Sequence, residues 1–199
     1  MAGVAEVLLF HHAHGLTPGC LSFADALRGP GHRVHVPDLY DGKLFDELPE
    51  GLGYAEQELG LEAFIAQGQA AAEALPNRLV YAGFSLGVLP AQMLAQTRQG
   101  ARGALLFHSA IPPSEFDGGW PPGVPLQMHI MDRDEFALEG DLEVARDLAA
   151  RLNRAELFEY PGDRHLFADS SLPDYDEEAA ALLTQRVLTF LDRVDRGWA

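Results

Sequence analysis

Gly83-Phe84-Ser85-Leu86-Gly87 directly follows the apolar run Arg78–Ala82 and directly precedes the amphipathic stretch Val88–Arg98. The pentapeptide has the form G-x-S-x-G in the setting that gives it meaning, between a strand and a helix. A strand-to-helix turn this sharp needs small residues on both sides of its central serine, because a Cβ there would strike the neighbouring backbone. Such a turn lifts the Ser85 hydroxyl out of the sheet and sets it near the positive N-terminal end of the next helix. A glycine-rich turn with an incidental serine is the bland account, and the strand-helix context weighs against it.

Outward from this turn, short β-rich runs alternate with longer amphipathic stretches, the pattern of successive βα units around a parallel sheet. Six strands are expected, at Val4–Phe10, His32–Val36, Arg78–Ala82, Gly103–His108, Leu126–Met131 and Ala155–Tyr160. Helices are expected at about 20–29, 54–75, 86–98, 139–153 and 176–195, with Gly60 and Gly68 able to split the second into two pieces. Runs such as Ala104-Leu105-Leu106-Phe107 are apolar throughout, as strands covered on both faces must be. In open sheets of this type ligands sit beyond the carboxyl ends of the strands, so function is expected in the loops that follow them. The Pro/Gly-rich stretch Ile111–Pro125 is the longest irregular connection and reads as an active-site loop.

The whole chain sets limits on what those loops do. Its 199 residues are 47% apolar, enough for a full core, and they carry a net charge of −16. An acidic surface repels phosphate, which argues against nucleic acid or an anionic membrane as partner and against a strongly anionic substrate. The single cysteine, Cys20, cannot form an internal disulfide, and the first residues lack the basic and apolar regions of a secretory signal. The expectation is a cytoplasmic protein without a membrane span.

A serine is a weak nucleophile at neutral pH, so Ser85 requires a base and a group to orient it, in the chain order serine, acid, histidine. After the fifth strand stands Met131-Asp132-Arg133-Asp134-Glu135; after the sixth stands Pro161-Gly162-Asp163-Arg164-His165-Leu166-Phe167. His165 is the candidate base. Asp132 and Asp134 are both candidate acids.

At these residues the chain resembles the dienelactone hydrolase family of α/β hydrolases over nearly its whole length. The matching pieces are the nucleophile turn, His12-Ala13-His14-Gly15-Leu16, Pro37-Asp38-Leu39-Tyr40, Asp134 with Phe136, and His165 with Phe167. The resemblance implies one minimal α/β-hydrolase domain over residues 1–199, without a large cap. It also implies a Ser85-Asp134-His165 triad, an oxyanion hole built from the Ala13 and Leu86 backbone N–H groups, and no metal or organic cofactor. The family's strand-end G-x-x-D pattern selects Asp134, although Met131 replaces the usual glycine and keeps Asp132 as a fallback.

Three departures bear on substrate. Typical members carry a cysteine nucleophile where this chain has Ser85, and a glutamate in the first loop where it has His12. The arginines that hold a substrate carboxylate have no evident counterpart: Asp169 stands where one is expected, and Leu44 to Pro76 contains no Lys or Arg. The expected substrate is therefore a small ester or lactone without strong negative charge. His12, His14, His108 and Trp120 are candidate pocket-lining residues, the first two at the pocket mouth. Two rival readings are a non-catalytic small-molecule receptor on the same fold and a metal-dependent hydrolase using the His11–His14 cluster.

Overall fold

A computed structural model describes residues 4–197. Six strands, β1 (Glu6–Phe10), β2 (Arg33–His35), β3 (Val80–Phe84), β4 (Gly103–Phe107), β5 (Leu126–Met131) and β6 (Ala155–Tyr160), form one sheet in the order β2-β1-β3-β4-β5-β6. Every adjacent pair is parallel. The expected strands β5 and β6 match residue for residue. The expected third strand is displaced toward its C-terminus: it starts at Val80 and runs on through Gly83 and Phe84, so the strand ends on the residue before Ser85.

Alternate residues of each strand enter two separate cores. Leu8, Phe10, Tyr81, Ala104, Leu106 and Met128 pack with α3 (Leu61–Glu73), α4 (Val88–Thr97) and α6 (Asp141–Arg151). Val7, Leu9, Ala82, Phe84, Leu105 and Phe107 pack on the other face with α1 (Pro18–Arg28) and α7 (Glu177–Arg196). This two-sided burial is the reason the strands read as unbroken apolar runs. At roughly 25 cal/mol per Å² of buried apolar surface, the two layers are the main source of stability.

The expected helix at 54–75 proves to be two. Gly60, with φ +85°, breaks it, and the part before the break is a wide π turn over Tyr54–Leu59 continuing from α2 (Leu48–Gly53). Gly68 stays helical because α3 passes close to α4: a Cβ there would lie 2.6 Å from Pro90 Cβ. The short α5 (Glu135–Leu138) also has no counterpart in the sequence expectation. No helix among the described residues is long and apolar enough to cross a membrane, and no large cap domain is inserted among them.

Several histidines are buried as neutral rings. His129 is wholly enclosed, its Nδ1 on the Tyr160 hydroxyl and its Nε2 on the Gln127 carboxamide; burial pushes it down to about 3. Burial likewise pushes His11 down to about 4. Unfolding frees these rings to take a proton at their ordinary value near 6.5, so the unfolded state binds more protons below that pH. Stability is therefore expected to be flat between pH 7 and 8 and to fall between pH 6.5 and 4, by about 1.4 kcal/mol per pH unit for each such histidine. Urea midpoints measured at pH 7.5, 6 and 5 check this; a midpoint unchanged down to pH 5 contradicts it.

Candidate active site

The strand order reverses between β1 and β3, because β2 lies to one side of β1 and β3 to β6 lie to the other. The loops leaving β1 and β3 therefore part over a crevice at the sheet's carboxyl edge, where open α/β sheets bind ligands. Ser85 stands in the β3 loop, at the start of a 3₁₀ turn (Ser85–Gly87) that runs into α4. Its φ of +48° is in the left-handed region that a side chain rarely adopts. The neighbouring glycines permit this. A Cβ on Gly83 would lie 2.1 Å from the Gly87 carbonyl oxygen, and one on Gly87 would lie 2.5 Å from the Phe10 carbonyl oxygen and 2.6 Å from that of His11.

The 81 residues from Ser85 to His165 close on one hydrogen bond, with Ser85 Oγ 2.7 Å from His165 Nε2. On the other side of the ring, His165 Nδ1 is 2.7 Å from Asp134 Oδ2. Asp134 also caps α5, its Oδ1 accepting the Phe136 N–H at 3.1 Å, so both carboxylate oxygens are engaged and the group is 1% exposed. The Phe136 ring lies 4.7 Å from the imidazole, which fixes the ring plane from outside. Asp132, the fallback acid, is elsewhere: its Oδ1 accepts the Gly162 N–H at 3.0 Å and braces the turn that delivers His165. A cleft of about 300 Å³ opens beside His165 among Arg133, Glu135, Phe136, Asp163 and Asp174.

The loop after β1 carries Ala13, which is fully buried and whose N–H finds no acceptor among the described residues. Leu86 lies in the first turn of the helical segment after Ser85, where backbone N–H groups lack an acceptor four residues back. Both N–H groups thus belong to the two loops that border the crevice.

The other expected pocket residues lie differently. His12 is not at the pocket mouth: it is 0% exposed, with Nε2 2.7 Å from Asp169 Oδ2. The neutral ring donates there, since burial lowers its pKa despite the carboxylate. Burial alone would raise the Asp169 carboxyl, but hydrogen bonds from His12, Ser171 and Thr17 outweigh it and hold the group well below the usual carboxylate range. Asp169 also reaches the start of α1, where the Thr17 hydroxyl donates to it at 2.5 Å and accepts the Cys20 N–H. His14 is also buried rather than at the mouth, with Nδ1 on the Phe45 carbonyl. His108 is buried behind His165, ring centroids 6.0 Å apart, with φ +71° and neither ring nitrogen hydrogen-bonded. Trp120 donates to the Val124 carbonyl and faces a separate groove of about 710 Å³ along α6, which none of Ser85, Asp134 and His165 lines.

The His12 and His14 rings are neighbours, centroids 5.4 Å apart, but the three histidines turn their nitrogens to the His12 carbonyl, Asp169 and the Phe45 carbonyl respectively. Among the described residues, the group that brings metal-binding atom types together is His12, Cys20 and Asp169, within 4.8 Å of one another. Its atoms already serve one another and Thr17 as hydrogen-bond partners. The Cys20 thiol is pushed up to about 12 by burial and by Asp169, so it remains protonated. Sequence reading missed Asp169 because its only signal was the lack of an expected arginine.

The parallel sheet, its two helical layers and the strained turn at Ser85 define an α/β-hydrolase fold. Residues 3–195 match the dienelactone hydrolase family, and the chain belongs to that family. Among solved structures it is similar to a dienelactone hydrolase-like promiscuous phosphotriesterase from metagenomic libraries, at 20% identity over 98% of this chain and 88% of the other, with TM-score 0.74. It is also similar to a dienelactone hydrolase from Anabaena variabilis, at 16% identity over 94% and 85% of the two chains, with TM-score 0.68. A cold-adapted esterase from an Arctic intertidal metagenomic library aligns at 18% identity over 98% and 83%, with TM-score 0.60. No curated protein matches the chain significantly.

Gly87→Ala tests the geometry of the turn, because the added methyl meets two carbonyl oxygens of β1 and the following loop, and backbone cannot yield as a side-chain end does. The expected outcome is a loss of about 2 to 4 kcal/mol in a chemical denaturation experiment, in the range of overpacked and strained core sites. Wild-type stability would show that the turn does not rest on β1.

Proposed function

We propose that the protein is a serine hydrolase that cleaves small esters or lactones through an acyl-enzyme intermediate. The observation that carries this reading is the unbroken relay from Ser85 Oγ through His165 to Asp134, with both hydrogen bonds at 2.7 Å. In the proposed reaction His165 Nε2 takes the hydroxyl proton as Ser85 Oγ attacks the carbonyl carbon. The tetrahedral oxyanion is held by the Ala13 and Leu86 N–H groups. His165 then protonates the leaving alkoxide, and the alcohol departs. Water, deprotonated by the same imidazole, attacks the acyl-enzyme, and the collapse of the second tetrahedral intermediate returns the proton to Ser85. Asp134 keeps the imidazole in the tautomer with its proton on Nδ1 and stabilises the imidazolium. Two backbone donors aimed at a developing charge contribute on the order of 3 kcal/mol each.

An uncharged acyl group suits the electrostatics of the cleft. Its rim carries Glu135, Asp163 and Asp174 against the single cation Arg133. Asp169, where the family's pattern places an arginine, is buried and ionised against His12. A substrate carboxylate at this rim would meet net repulsion, and buried Asp169 offers it no cation.

Ser85→Ala is expected to lower kcat for a short p-nitrophenyl ester by several orders of magnitude, toward the roughly millionfold loss typical of triad knockouts. A fluorophosphonate probe should label the wild type and leave that variant unlabelled; equal turnover or equal labelling contradicts the assignment. Asp134→Asn should keep the fold and lower kcat about ten-thousandfold, through the wrong imidazole tautomer, whereas Asp132→Asn should leave kcat within a few-fold of wild type.

A further inference from the structure

The peptide joining His12 to Ala13 is held by its carbonyl end. The His12 carbonyl oxygen accepts two hydrogen bonds, from the Gly15 N–H at 3.0 Å and from His11 Nδ1 at 2.8 Å. A trans peptide points its N–H opposite to its C=O, so this double tether turns the Ala13 N–H the other way. There it finds no acceptor among the described residues, although Ala13 is fully buried. Buried backbone N–H groups without partners are rare, and each calls for an explanation.

The tether depends on which nitrogen of His11 carries the proton. The Leu39 N–H donates to His11 Nε2 at 3.0 Å, so Nε2 is an acceptor and the proton of the neutral ring is on Nδ1, facing the His12 carbonyl. The ring is held in place by Tyr40 and Phe64, with centroids 4.9 and 6.0 Å away, both edge-on. Asp38 stabilises the turn that presents Leu39 and Tyr40, its carboxylate accepting the Tyr40 and Gly42 N–H groups. The segment Pro37-Asp38-Leu39-Tyr40 thus acts on His11.

A second tether comes from His12 itself. Its Nδ1 accepts the His14 N–H at 3.3 Å, while its Nε2 donates to Asp169, four residues beyond His165. The loop that carries Ala13 is therefore fastened to the segment that carries His165.

We propose that His11, together with the His12–Asp169 pair, is a positioning element that fixes the 12–13 peptide with its N–H free to receive the oxyanion formed at Ser85. His11 touches neither Ser85 nor the substrate and acts only through the peptide it orients. Without its Nδ1–H, the His12 carbonyl keeps one donor of two, and the peptide is able to rotate its oxygen toward the crevice. An oxygen there repels the tetrahedral intermediate but does little to the uncharged ester, so the effect falls on kcat and spares KM.

This inference rests on the acyl-transfer reading above. Its test compares three variants in full-length protein, with kcat and KM for p-nitrophenyl acetate, the inhibition constant of phenylboronic acid, and the thermal midpoint. His11→Phe keeps the aromatic packing and removes both hydrogen bonds. His11→Asn places an amide N–H near the Nδ1 position, within reach of the His12 carbonyl. His11→Gln places its amide near the Nε2 position, facing Leu39 instead. The expected loss in kcat for His11→Phe is about 100-fold, the scale of a lost oxyanion donor, with KM within threefold and the boronate, a tetrahedral adduct mimic, weakened in parallel. His11→Asn should recover at least tenfold of that loss and exceed His11→Gln. Should His11→Phe fail to fold, the Asn-over-Gln order decides. Folded variants with wild-type kcat, a Gln variant equal to or better than Asn, or a change confined to KM would overturn the proposal. If fluorophosphonate does not label the wild type, the acyl-transfer reading fails first; labelling with indifferent His11 variants removes this inference alone.

Discussion

The arrangement depends on one close approach: the turn after β3 lies directly on the backbone of β1 where that strand ends. Gly87 leaves room for the Phe10 and His11 carbonyl oxygens, and Gly83 leaves room for Gly87. The parallel pairing of Leu9 with Ala82 and of Phe10 with Gly83 sets the two strand ends side by side. From that contact follow the left-handed conformation of Ser85, the start of α4, and the proximity of the Ala13 loop to the serine. Strain at Ser85, of order 1 to 3 kcal/mol for such a residue, is sustained because the packed strands on both sides leave the turn no other path.

A second, buried layer lies under this edge. Asp169 joins the loop after β1, the N-terminus of α1 and the segment after His165 through His12, Thr17 and Ser171. The positive end of the α1 dipole and these donors compensate an ionised carboxylate inside the protein. Relative to the family's usual glutamate and arginine, the pair His12–Asp169 exchanges the acidic and basic sides. In this chain the pair links the loop after β1 to the segment after His165.

Much of this was legible in the residues. Burial on both faces was readable in the unbroken apolar run Ala104-Leu105-Leu106-Phe107, and the punctuation before Ser85, Asp134 and His165 placed each at a strand end. The helical region at 48–59 was not readable, since Pro49, Gly51 and Gly53 argue against helix in isolation. It forms because Gly51 lets that segment press on the Ala13 carbonyl, where a Cβ would lie 1.9 Å from the oxygen. His12 and His14 were expected at a pocket mouth because they stand in the loop after the first strand. Burial is decided by what comes to cover them, here Asp169 and Phe45, which are distant in the chain.

The sequence by itself determined the layered α/β architecture, the serine turn and the order of the acid and the histidine after it, because hydrophobic period and glycine sterics are local properties. Only the tertiary structure decided which carboxylate meets His165, which nitrogen of His11 bears the proton, and that Asp169 answers His12. Those choices are fixed by hydrogen bonds between segments as far apart as 157 positions, and a hydrogen bond is satisfied by geometry that no local pattern encodes.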